Sequence, residues 1–304
     1  MAAPRPPALP LLAALGLGAG VGAAALAGAP RPSEARTTPR ELGEVRWLRS
    51  LPEAQAEARK LGRPILILFD EVPGCQTCVR YGAHVLSHPL IVEAAEDLFV
   101  PVVIYNNEGG ADRAALEAFG EPAWNNPVVR IVDAELAPLA PRVSGDYSQE
   151  GLLTAMQAAL TKTGRPVPGY LTGLLQELTV PRTEVAYYAM YCFWSGEVCL
   201  GGLDGVLETR AGFAGGKEVV EVRYDPRLVT RGALDAAAQG CGAPVAGAGF
   251  KPSVDDDKYQ LRGARWQAVF LTPGQRTKVN ARVGRGQPLA EVLSPRQQAA
   301  LQRD

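Results

Sequence analysis

Apolar and polar positions along the chain predict alternating helices and strands from Glu41 onward. The Ala- and Glu-rich stretch Leu51 to Leu61 has the spacing of a helix, and the unbroken run Pro64-Ile65-Leu66-Ile67-Leu68-Phe69 is a strand buried on both faces. Asp70-Glu71-Val72-Pro73-Gly74 is a turn, after which a helix opens at Cys75 and runs through Tyr81 and Leu86 to about His88. Helix Leu90 to Asp97, strand Phe99 to Tyr105, helix Ala111 to Phe119, strand Val128 to Asp133 and helix Gln149 to Thr161 follow. Strands alternating with helices imply a layered α/β sheet.

Thr161 to Pro181, with Gly164, Pro166, Pro168 and Gly169, reads as a boundary carrying a short helix at Gly173 to Leu178. The first domain therefore covers residues 41–162, a linker 163–183, a second domain 184–284 and a tail 285–304. In the second domain the pattern predicts strand Glu184 to Met190, a helix from Cys192 to about Leu200, and strands Val206 to Phe213 and Val219 to Tyr224. Helix Thr230 to Ala238, strand Arg265 to Leu271 and helix Pro273 to Val283 complete it. Strand, helix, strand, strand, helix, strand is the split β-α-β order of an α+β ferredoxin-like domain. Pro288 to Arg303 reads as a polar terminal helix with no chemistry.

The N-terminus bears on the compartment. Residues 6 to 30 are 25 uncharged positions between Arg5 and Arg31, and Ala25-Leu26-Ala27 has the small-x-small pattern of a signal-peptidase site. The expectation is export to the periplasm or cell envelope, with a retained membrane anchor as the competing reading. No cysteine precedes Cys75, so this site cannot carry a lipoprotein anchor. Residues 31–40, with Pro32, Ser33 and Pro39, form a linker.

Composition narrows the chemistry. Lys plus Arg (31) balances Asp plus Glu (32) with no block of like charge, so there is no footprint for nucleic acid or an anionic membrane surface. With 47% hydrophobic and 21% charged residues the chain can bury real cores. Its two histidines, His84 and His88, argue against multi-histidine metal enzymes and leave five cysteines as the reactive inventory.

Cys75-Gln76-Thr77-Cys78 at the start of a helix after a buried strand is suited to thiol redox chemistry. Unpaired N–H groups and the dipole at a helix N-terminus stabilise a thiolate at Cys75, and Cys78 is placed to close a disulfide. This segment resembles thioredoxin, with Pro127 in Asn125-Asn126-Pro127-Val128 at the place of that family's cis-proline, and the resemblance spans about 110 residues. Val72-Pro73-Gly74-Cys75-Gln76-Thr77-Cys78 further resembles thioredoxin-like selenoproteins with a Val-Pro-Gly-Sec-x-x-Thr motif. Cys75 then takes the selenocysteine position, and Cys78 replaces the threonine. Two other readings of these residues remain: a structural disulfide, and a Cys₂His₂ metal site made of Cys75, Cys78, His84 and His88, whose inner gap is short for zinc fingers.

Cys192-Phe193-Trp194 places a second thiol at a strand-to-helix turn, and a cysteine beside two aromatics can equally be core packing. With Glu197, then Gly212-Phe213-Ala214-Gly215-Gly216, then Glu218 heading a segment that ends Tyr224-Asp225-Pro226, it is similar in order to A-type peptide methionine sulfoxide reductases. The resemblance spans about Glu184 to Val283. It implies that Cys192 attacks the sulfoxide sulfur of methionine (S)-sulfoxide in proteins or peptides. Phe193 and Trp194 would hold the ε-methyl group, and Glu218 would protonate the departing oxygen. Tyr191 and Ser195 replace the family's glycines, Phe213 replaces a tyrosine, and a loop before Glu218 is missing. Tyr259 is close in sequence to where a second family tyrosine falls.

The sulfenic acid left on Cys192 needs a resolving thiol. Cys199, about two helical turns or 10 Å along the helix, is too far for direct pairing, whereas Cys241 in a Gly-rich segment is the better candidate. The chain is thus expected to be an exported thiol oxidoreductase in which the first domain recycles the second. An upstream thiol supplies electrons, and neither cofactor nor metal is required. The alternatives are a thiol-disulfide oxidoreductase whose second domain only docks substrate, and a non-enzymatic envelope metal-binding or scaffold protein.

Overall fold

The computed structural model describes Met1 and residues 39–302, so the expected leader or anchor at residues 6–30 lies outside the described residues. The first half comprises α1 (Leu51–Leu61), β1 (Ile65–Asp70), α2 (Gln76–His84), α3 (Pro89–Leu98), β2 (Val100–Tyr105) and α4 (Ala111–Phe119). It continues through β3 (Val128–Val132), β4 (Val143–Ser144) and α5 (Gln149–Lys162). Ser50 caps α1 by accepting the Glu53 N–H, and Gly62 ends that helix at φ 62°.

These strands form a sheet in the order β2-β1-β3-β4, with β1 parallel to β2 and antiparallel to β3. Every residue of β1 is buried because successive side chains enter different cores. Leu66 and Leu68 join the layer beneath α2, α3 and α5. Ile65, Ile67 and Phe69 meet Ala54 and Ala58 of α1 and Ala115 and Leu116 of α4. The result is a sheet with helices on both faces.

The expected linker is largely a helix, α6 (Gly169–Thr179), longer than the Gly173 to Leu178 piece anticipated. Tyr170, Leu171 and Leu174 carry it into the first core, which explains why a Gly- and Pro-rich stretch still orders. The second half then runs β5 (Glu184–Met190), α7 (Phe193–Gly201), β6 (Val206–Ala214), β7 (Lys217–Tyr224), α8 (Arg231–Ala238), β8 (Gly242–Val245) and β9 (Lys251–Pro252). Three helices close it: α9 (Ala264–Gln267), α10 (Pro273–Gly284) and α11 (Pro295–Leu301).

The second sheet has the order β8-β5-β7-β6-β9, antiparallel throughout. β7 lies between β5 and β6, so the β5-α7-β6 unit is split by an inserted strand. One expectation is corrected: Arg265 to Leu271 is not a strand. Trp266, on α9, is buried, and Val269, two residues past the end of that helix, is buried as well. The edge position is taken by β8, where Pro244 lies opposite Tyr188. Proline is tolerated on an edge strand because its missing donor is not needed there, and its presence hides the strand from pattern reading.

The tail, with its helix α11, docks on the first half. The Ser294 hydroxyl donates to the Glu93 carboxylate, and the Arg296 N–H donates to Glu93 Oε1 at 2.8 Å. The Arg296 guanidinium bonds Asp97 at 2.7 Å and Glu96 at 2.9 Å. On α6, Glu177 accepts from the Thr272 hydroxyl at 2.6 Å and from the Gly274 N–H at 3.1 Å, at the start of α10. Residues 39–302 belong to one compact unit. Among the described residues no helix is long and apolar enough to cross a membrane.

Candidate functional sites

The first site sits where β1 delivers the chain to α2. Cys75 is the N-cap residue of α2, with the Cys78 N–H directed at its sulfur at 3.1 Å. The two cysteines are joined as a disulfide with Cα atoms 5.1 Å apart. Cys75 is partly exposed while Cys78 is fully buried, so an incoming thiol meets Cys75 first. An orphan N–H aimed at Cys75 favours its thiolate once the bond is reduced. The Asn126–Pro127 bond is cis, and Asn126 Oδ1 stands 3.2 Å from Cys78 Sγ. Pro127 therefore borders the disulfide, and Trp124, 81% exposed, lies three positions before it.

Carboxylates that the sequence reading passed over surround this loop. Glu41 Oε1 accepts the Gly74 N–H at 3.3 Å, and Glu71 Oε2 accepts from the Asn126 amide at 3.4 Å. Asp70, read as a turn residue, ends β1 fully buried, and neither carboxylate oxygen has a well-formed hydrogen bond. Burial foremost, then the negative charge of Glu41 and Glu71, pushes its carboxyl up to about 8. An aspartate closing an apolar strand was the available signal, but burial cannot be seen in a sequence.

The proposed metal ligands do not converge. Cys75 and Cys78 are bonded to each other, and His84 is the last residue of α2. His88 caps α3 with its ring edge-on to Phe270, and burial lowers its pKa. Among the described residues no group of three or more His, Cys, Asp or Glu is gathered as a metal site.

The second site forms at the end of β5. Cys192 is the N-cap residue of α7, partly exposed and unpaired. The next N–H, that of Phe193, donates to Glu218 Oε2 at 2.7 Å, so the first turn of the helix holds the carboxylate beside the thiol. Phe213 lies directly opposite Glu218 across the β6-β7 hairpin, and its ring meets Phe193 edge-on at 5.4 Å. Trp194 packs on Phe193 and stacks on Tyr259 with centroids 4.1 Å apart and planes at 21°. Thus Cys192, Phe193, Trp194, Phe213 and Glu218 come together, with Tyr259 added from a distant segment. Gly196 lets α7 lie close to the sheet, since a Cβ there would stand 2.6 Å from Met190.

Cys241 is bonded to Cys199, with Cα atoms 6.6 Å apart, rather than to Cys192. The two sulfurs meet because α7 returns Cys199 toward the end of α8, a pairing that sequence separation alone did not suggest. Cys241 still neighbours the end of β5: Met190 lies opposite Gly242, so the chain leading to Cys192 passes Cys241. An open cavity of about 330 Å³ between them is lined by Ala189, Met190, Tyr191, Gly240, Cys241 and Gly242.

Comparison with known proteins finds two kinds of likeness. Residues 46–134 match the family described as thioredoxin-like. The chain is 30% identical over 143 residues to "Peptide methionine sulfoxide reductase MsrA 2" of Caulobacter vibrioides, covering 41% of this chain and 65% of that protein. It is 36% identical over 91 residues to "Peptide methionine sulfoxide reductase MsrA" of Salinispora tropica, covering 22% and 41% respectively. The chain thus spans less than two thirds of the length of these curated relatives. Among solved structures, "DsbH Oxidoreductase" is similar with 16% identity and a TM-score of 0.34 over 43% of this chain and 94% of that one.

Proposed function

We propose that this chain, thioredoxin-like in its first half and similar in part to methionine sulfoxide reductases, is an exported oxidoreductase with two thiol sites. The second site reduces methionine (S)-sulfoxide in peptides or proteins. The observation that carries this reading is the unpaired Cys192 at a helix N-terminus with the Glu218 carboxylate bonded to the adjoining N–H. Phe193 and Trp194 receive the methyl group. Cys192 passes its proton to Glu218 and attacks the sulfoxide sulfur, and Glu218 returns that proton to the oxygen. The hydroxyl then moves to the Cys192 sulfur as the new S–S and the original S–O bonds break. In balance, thiol plus sulfoxide becomes Cys192 sulfenic acid plus thioether, a transfer of two electrons.

With Cys199 and Cys241 reduced, the Cys241 thiol attacks the Cys192 sulfenic sulfur, releasing water and forming a Cys192–Cys241 disulfide. Cys199 then attacks the Cys241 sulfur and frees Cys192. That sequence ends with Cys199 and Cys241 joined, and their proximity in the structure as a disulfide supports it. The Cys75/Cys78 dithiol, recharged by an upstream thiol reductant, returns two electrons by disulfide exchange. No bound cofactor enters these steps. The split sheet supports the ferredoxin-like reading of the second half, and the Val-Pro-Gly-Cys motif supports a relation of the first to the selenoprotein group.

A second reading is favoured by Phe213, which has no hydroxyl to offer the departing oxygen. On it the chain is a thiol-disulfide oxidoreductase whose second half docks substrate. Mass spectrometry after incubation with a peptide (S)-sulfoxide and dithiothreitol separates the two. The expected result is thioether product from the wild type and none from Cys192→Ser, with Glu218→Gln slower by about 10²–10⁴. Equal turnover by wild type and Cys192→Ser overturns the sulfoxide reading and leaves the second.

A further inference from the structure

Beneath the second thiol site lies a buried charge cluster that the proposed chemistry does not use. Glu197, on α7 and 0% exposed, is three residues beyond Trp194. Two groups of one residue hold its carboxylate: the Lys258 main-chain N–H donates to Oε2 at 2.8 Å, and the Lys258 ammonium donates to Oε1 at 2.8 Å. The ammonium also donates to Asp257 Oδ1 at 2.8 Å and to the Thr209 carbonyl, and the Thr209 hydroxyl donates to Glu197 Oε1 at 2.9 Å. Lys258 is itself 3% exposed and adopts φ 53°, a left-handed conformation uncommon for a residue with a Cβ.

Charges buried this deeply are costly to desolvate and are tolerated only when paired and hydrogen-bonded. The pair also has a neighbour that gives it a role. Tyr259 follows Lys258 directly and stacks on Trp194, and the Arg262 guanidinium lies 4.7 Å from the Tyr259 ring centroid and 5.4 Å from that of Trp194. The Trp194 indole N–H is buried without a hydrogen-bond partner, so stacking, not a polar anchor, orients this ring. The segment bearing Tyr259 reaches α7 through Glu197.

We infer that the Glu197–Lys258 pair is the positioning device of the second site. It pins the segment from Asp257 to Arg262 onto α7, so that Tyr259 and Trp194 form one fixed aromatic wall for the apolar end of the substrate. Neither charged residue touches substrate. The inference rests on the sulfoxide reading for the identity of that substrate, but not for the geometry.

Trp194 emission, taken as the difference between each protein and its Trp194→Phe counterpart, tests the positioning directly. Lys258→Met is expected to shift this emission as far as Tyr259→Leu does, and the two substitutions together are expected to shift it no further. KM for the peptide sulfoxide should rise roughly 10-fold to 100-fold, as for other misplaced binding groups, while the rate of Cys192 alkylation stays unchanged. Glu197→Gln combined with Lys258→Met leaves no unpaired buried charge and keeps the test available if the single variant does not fold. Unchanged emission and KM in folded variants, whatever their loss of melting temperature, would reduce the pair to a purely stabilising role and overturn the inference. If the wild type turns over no sulfoxide, the reaction reading fails, whereas the emission arm still decides the positioning.

Discussion

Phe213 and Asp70 show how much single atoms decide. Phe213 places a ring where the resemblance to the reductases calls for a tyrosine, on the strand position facing Glu218. Phe213→Tyr restores a donor near the departing oxygen, and kcat for the sulfoxide should rise, by up to the order of 10²–10³ that such donors contribute elsewhere. Asp70 acts through pH. Its folded-state pKa of about 8 lies above the ordinary 3.8, so between these values the folded chain holds a proton that the unfolded chain has lost. Stability therefore falls as pH rises through that window, with a limiting slope of about 1.4 kcal/mol per pH unit from this group, and levels off above it. Asp70→Asn removes the slope. Urea unfolding should show the variant gaining on the wild type from pH 5 to pH 8, and a constant difference would contradict the assignment. The cysteines, Pro127, Phe193 and Trp194 were legible because short motifs carry them. Asp70, Glu197 and Lys258 were not, because burial gives them their character.

At the scale of elements, Cys75 and Cys192 both sit at strand-to-helix turns, and this much follows from local pattern. The Cys199–Cys241 link is of another kind, because it joins α7 to the segment after α8 across 42 positions. A loop of that size carries a chain-entropy stabilisation of roughly 4 kcal/mol, and measured values commonly fall at 2–4. Replacing both residues by serine should lower unfolding free energy by about that amount. Dithiothreitol should destabilise the wild type similarly and spare the double variant; the same loss in both would place the effect at Cys75–Cys78. Where element reading erred, the cause was local ambiguity. Trp266 suits a short strand or a helical turn, and packing with Leu261, Val279 and Leu293 selects the turn.

Across the whole molecule, the two halves are fastened at the end of the first sheet remote from its disulfide. Arg63, just before β1, donates to the Glu96 carbonyl, and the Arg296 guanidinium bonds the Glu96 carboxylate. Cys75 follows the other end of β1, about 17 Å along a six-residue strand. Truncation after Leu293 removes Ser294 and Arg296 and leaves the buried Glu93 carboxylate without these donors. Urea unfolding is then expected to separate into two transitions, while the rate of Cys75–Cys78 reduction by dithiothreitol stays unchanged. A single transition, or an altered reduction rate, would show that the tail is not an independent fastening.

The sequence by itself determined the order of most elements and the two helix starts that bear Cys75 and Cys192. Those features depend on neighbours within a few positions, where periodicity and helix-end chemistry operate. Tertiary structure alone decided that Cys199 bonds Cys241, that α6 and α11 belong to the body of the fold, and that Tyr259 lies on Trp194. Each joins residues tens to hundreds of positions apart. Such pairings are selected by how whole faces pack and by which buried charges find partners, and neither quantity is carried by any short stretch of chain.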